Sequence, residues 1–86
     1  MASVGEVKAG LSRFTDEAAR QAETIRSVAD SMDRTSAMLR SLTSGANAAQ
    51  VAEALVRLEQ AKQRLHEAAA LARGAVEATN SYTAGF

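Results

Sequence analysis

The stretch Leu39-Arg40-Ser41-Leu42-Thr43-Ser44-Gly45-Ala46-Asn47-Ala48-Ala49-Gln50-Val51 places one short break between two long runs of helix-spaced apolar residues. Gly45 can take the left-handed backbone conformation that ends a helix at low cost. Asn47 is suited to cap a second helix, with Gln50 three residues on completing a capping box. A connection this short forces the second helix to return antiparallel to the first. The expected layout is helix 1 over about 4–43, a turn at 44–47, helix 2 over about 48–80 and a tail at 81–86. That is one all-α domain, an antiparallel two-helix hairpin.

Upstream of the turn, alternating steps of three and four run through Val4, Val7, Leu11, Phe14, Ala18, Gln21, Ile25, Val28, Met32, Thr35, Leu39 and Leu42. All are apolar except Gln21 and Thr35. A strand would alternate with period two; a period of 3.5 sustained this long marks a coiled-coil seam. Ser3 with Glu6 forms a capping box at the start, and Ala2 and Val7 occupy the staple positions around it.

Downstream, Val51, Leu55, Leu58, Leu65, Ala69, Ala72 and Val76 form a thinner seam. One seam position falls on Lys62, where Ala61 is expected to take over. Gly74 weakens the helix by about 1 kcal/mol relative to Ala. Asp16–Arg20, Asp30–Arg34 and Glu53–Arg57 are acid-first pairs suited to exposed faces. Folding about Gly45-Ala46 sets Phe14 opposite residues 74–78, where small side chains leave room for its ring. Each arm is about 60 Å long at 1.5 Å per residue, so the pair is a rod with half-wet flanks. A dimer forming a four-helix bundle is expected.

The composition narrows the function. Ten acidic and ten basic residues cancel over 86 residues, against the basic excess of a nucleic-acid binder. The same balance disfavours an anionic membrane surface. No apolar run reaches the roughly 20 residues needed to span a bilayer, so stable membrane insertion is not expected. The first residues lack a basic and an apolar region, so no cleavable signal is read there. A cytoplasmic chain is expected, with export by a leaderless route left open. Without Cys there is no thiolate nucleophile or disulfide frame.

His66-Glu67 begins like a zinc-protease helix, but Ala70 stands where the second His would be. Asp30 with Asp33, and Asp16 with Glu17, read as solvated face charges. A rod offers no concave pocket for Ser, His and acid chemistry. No catalytic residue, cofactor or metal is expected. The residues expected to hold the hairpin and any bundle together are Leu11, Phe14, Ile25, Val28, Met32 and Leu39 on helix 1, with Leu55, Leu58 and Leu65 on helix 2. Gln21 and Thr35, two heptads apart, are candidates for fixing register or oligomeric state.

Two heptad helices, a mid-chain turn and a chain of this length resemble the small Trp-Xaa-Gly hairpin proteins of type VII secretion. The signature place here reads Thr43-Ser44-Gly45-Ala46, and Tyr82 is followed four residues later by Phe86 where that family carries an acid. Residues 1–7 and 44–51 are also similar to Ala-rich helical leaders of polymorphic deaminase toxins from high-GC Gram-positive bacteria. Eight Arg to two Lys fits such a genome. The resemblance implies a non-catalytic adaptor, targeting partner or chaperone for a toxin, pairing with a helical hairpin or toxin leader as a homo- or heterodimer. Its rival is a structural coiled-coil homo-oligomer unrelated to secretion.

Overall fold

The computed structural model describes residues 3–45 and 47–86. They form two helices, α1 (Val4–Leu42) and α2 (Ala49–Ala84), packed against each other. The hairpin measures 64 × 19 × 15 Å. Its radius of gyration of 19.5 Å exceeds the about 12 Å of a compact domain of this length. The all-helical hairpin expected from the heptads is present.

Helix ends follow local chemistry. The Ser3 hydroxyl accepts from the Glu6 backbone N–H at 3.1 Å, which caps α1. Ala2, the other half of the expected staple, lies outside the described residues, as does Ala46. At the far end, the Thr43 N–H and hydroxyl both donate to the Leu39 carbonyl, at 3.0 and 2.6 Å. Gly45 then takes φ +82°, the left-handed turn its lack of a Cβ permits.

The start of α2 differs from expectation. Its N-cap is Ala48, with no side-chain cap bond. The Ala48 carbonyl accepts from Val51 and Ala52 at 3.1 and 3.3 Å, so Asn47 stands one residue too early to cap. The C-terminal end differs too: the helix runs on to Ala84. Thr79 and Thr83 continue the seam and return their hydroxyls to the carbonyls of Ala75 and Thr79 at 2.8 and 2.9 Å. Local bonding of this kind lets threonine stand in a helix interior.

The seam of α1 also departs from the apolar series. Leu11, Ala18, Ile25, Met32 and Leu39 do face α2. Between them, however, stand Thr15, Ala22, Ala29, Ser36 and Thr43, each one residue later than Phe14, Gln21, Val28, Thr35 and Leu42. The most buried side chains are therefore small: Ala22, Ala29, Ser36 and, on α2, Ala69. Lys8 lies 6.0 Å from the Phe86 ring and Asp33 bonds Lys62, which puts the hairpin axis at Asn47–Ala48. In that register Ile25 is level with Ala69, Ala29 with Leu65, and Ser36 with Leu58. Large meets small, so the backbones can approach closely and interlock. The same register sets Phe14 level with Ser81, about one turn beyond the expected residues 74–78.

Lys62 keeps its place in the α2 seam. Its stem lies between the helices, with the side chain only 18% exposed, while its Nζ reaches Asp33 at 2.9 Å and Glu59 at 3.1 Å. Of the three acid-first pairs, Glu53–Arg57 forms at 2.7 Å. Arg20 instead bonds Glu17, and Arg34 donates to Ser31 Oγ at 2.8 Å, because neighbours three residues away are as near as those four away.

Candidate helix-docking face

The seam defines a heptad, labelled a to g, in which Ala22 and Lys62 are a and Ile25 and Leu65 are d. In an antiparallel pair the two g positions flank one side of the seam and the two e positions the other. The e flank carries Arg26, Asp33 and Arg40 from α1 with Glu59, His66 and Arg73 from α2, and uncharged Gly5, Ser12, Ala19, Ala52 and Asn80 beyond them. A shallow groove on this side, beside Ala22, is walled by Glu23, Arg26, Arg73 and Glu77. Solvent is the natural environment for such a flank.

The g flank is different in kind. From α1 it presents Val7, Phe14, Gln21, Val28, Thr35 and Leu42; from α2, Ala54, Ala61, Ala68, Ala75 and Tyr82. Not one is charged, in a chain that is 23% Asp, Glu, Lys and Arg. Coiled-coil g positions that face water usually carry Glu or Lys. Met38 and Leu71, on the c positions next to g, extend the uncharged face outward. Phe14, Val28, Met38, Leu42, Leu71 and Tyr82 are all exposed large side chains.

Each residue expected to hold the molecule together now has a place. Leu11, Ile25, Met32, Leu39, Leu55, Leu58 and Leu65 are half-buried in the seam, whereas Phe14 and Val28 are exposed on the g flank. Gln21 and Thr35 lie on that flank as well, outside the hairpin's own core. Gln21 Nε2 reaches Glu17 Oε1 at 3.5 Å, and the Thr35 hydroxyl donates to the Ser31 carbonyl at 3.3 Å. The apolar arc of α1 is thus centred between d and g, about one-seventh of a turn away from the direction of α2. Part of it meets α2 and part meets nothing among the described residues.

The surface area makes the same point. The chain exposes 6294 Å², against roughly 4,900 Å² for a folded monomer of its mass. The surplus exceeds the roughly 600–1,000 Å² that a standard protein–protein interface removes from each partner, and the elongated shape of the rod contributes part of it.

Charge on the e side is organised around Lys62. Hydrogen bonds to Asp33 and then Glu59 hold its ammonium above its ordinary pKa. Bonds from Gln63 and then Lys62 hold the Glu59 carboxyl below its own. Among the described residues no group of three or more His, Cys, Asp or Glu is placed to hold a metal ion. No described helix is long and apolar enough to cross a membrane.

Comparison with family models, with curated proteins and with solved structures finds no match to this chain.

Tyr82 and the alanines at 54, 68 and 75 were not singled out by apolar spacing in the sequence. A different signal marks them: absence of charge at every seventh residue from Ala54, as from Val7; Met38 and Leu71, on the c positions, lie outside both series.

Proposed function

We propose that the chain is a non-catalytic protein–protein interaction module whose g flank receives the helices of a partner. The observation that carries this is the contrast between an uncharged, exposed g flank and a charged e flank on the same hairpin. Docking buries Phe14, Val28 and Leu42, at about 25 cal/mol per Å² of apolar surface removed from water. In the secretion setting that the resemblance implies, the partner is a helical hairpin or the helical leader of a toxin, in a homo- or heterodimer. The chain then acts in the cytoplasm as a targeting partner or chaperone for a toxin. Co-expression with the product of the neighbouring gene, followed by co-purification with wild type and Val28→Asp, tests this. Capture by wild type and not by the variant is expected. A chain that stays monomeric and captures no such partner would end the proposal.

The rival, a structural homo-oligomer unrelated to secretion, is favoured by one observation, the complementary relief of the g flank itself.

A further inference from the structure

The two halves of the g flank have opposite relief. On α1 its ridge carries Val28 and Leu42 as large side chains, with Gln21 and Thr35 between the large positions, and on α2 it is a trough of alanines at 54, 61, 68 and 75; at the far end Phe14 on α1 and Tyr82 on α2 share a level, large beside large. In the hairpin register Leu42 stands within about two residues of the level of Ala54, and Val28 within about two of Ala68. A twofold axis parallel to the rod, lying in the g face, lays the ridge of one copy into the trough of another at these same levels. A twofold axis across the rod lays ridge on ridge and alanine on alanine, which leaves gaps along half the contact. The first symmetry is self-complementary; the second is not.

From this relief we infer that the occupant of the g flank is a second copy of this chain, in a four-helix bundle whose two turns lie at the same end. This rests on the helix-docking role proposed for that flank. Every helix in the bundle then has antiparallel neighbours only, α1 against its own α2 and against the second copy's α2, which also opposes their dipoles favourably. The surplus surface of each hairpin covers the share that one partner of such a dimer buries. Gln21 and Thr35 fall in the new contact, where a polar pair can select register.

Two measurements test the arrangement. The chain has no cysteine, so Ser44→Cys, in the exposed turn, takes a single spin label. Double electron–electron resonance on the dimer should give distances below about 30 Å, as for helices spaced 8–10 Å apart with flexible labels. A band near 60 Å, the length of the rod, would mean turns at opposite ends and overturn the inference. The second measurement is dimer dissociation by analytical ultracentrifugation. Val28→Ala and Ala68→Val should each weaken the dimer about tenfold, and the double variant should recover most of that loss. Val56→Asp, on the b position away from the face, should leave it unchanged. Equal loss in the double variant would count against ridge-in-trough packing. A wild-type monomer that binds a neighbouring gene product through Val28 sinks the homodimer and keeps the docking role. A monomer that binds nothing sinks both.

Discussion

Val28 and Ala29 are neighbours in the chain with opposite surroundings: Val28 is 47% exposed, and Ala29 is fully enclosed against α2. The pair marks where the seam of α1 ends and the g flank begins.

Aspartate at the two positions should separate them. Ala29→Asp buries a carboxylate without a partner and should cost at least about 3 kcal/mol, enough to unfold a hairpin of this size. Val28→Asp should change the unfolding free energy of the isolated hairpin by no more than about 0.5 kcal/mol. Circular dichroism at a concentration below dimer dissociation makes the comparison. Equal loss of helix in both variants would mean that Val28 is in the hairpin core after all.

The uncapped start of α2 is an opportunity for stabilisation. Ala48 is the N-cap and offers no acceptor. Ala48→Asp should supply one to the first-turn N–H groups and gain about 1 kcal/mol. Asn47→Ala should be close to neutral. Reversed effects in urea denaturation would restore Asn47 as the cap.

Gly74 lies in the interior of α2 on the outer f position, and a Cβ built there meets nothing within 4 Å. Gly74→Ala should stabilise by about 0.5–1 kcal/mol through the unfolded chain's lost freedom. For a chain of this length that is a rise in Tm of roughly 2–8 °C. No rise would point to a contact on the f face.

The Lys62 cluster sets a pH window. The raised pKa of Lys62 adds stability that is complete below its ordinary value of 10.5 and is lost as pH climbs through the folded value. The lowered pKa of Glu59 adds stability that is present above its ordinary value of 4.5 and is lost as pH falls through the folded value. Tm should therefore be flat between about pH 5 and 10 and decline at both ends. Lys62→Met should make both declines shallower, and added salt should blunt the wild-type dependence because the pair's acids are exposed. Declines that are unchanged in Lys62→Met would place their origin elsewhere.

Much of this fold was legible in the residues. Gly45 announced the turn, Ser3 the first cap, and the α2 heptads were readable from Val51 to Val76. The α1 seam was legible only in part, because two stripes, d with g and d with a, fit the same three–four spacing. Ranking by apolarity favours Phe14 and Val28 over Thr15 and Ala29. Close helix packing favours the smaller pair, and only the facing Thr79 and Leu65 reveal this. The end of α2 was hidden for a related reason: Thr79 and Thr83 read as polar, but their hydroxyls are bonded within the helix.

The layers of the seam change character along the rod. Near the turn Leu39 is level with Leu55 and Ser36 with Leu58; in the middle Ala22 is level with Ala72, and beyond it Thr15 with Thr79. The turn-proximal layers close short loops and hold leucine from both helices, while the distal ones close long loops and, Leu11 and Val76 apart, hold alanine and threonine. Loop-closure entropy and side-chain size thus agree on an order in time. The hairpin is therefore expected to zip from the turn outward and to open from the far end inward, and a partner that grips the distal half would meet it in its least committed state.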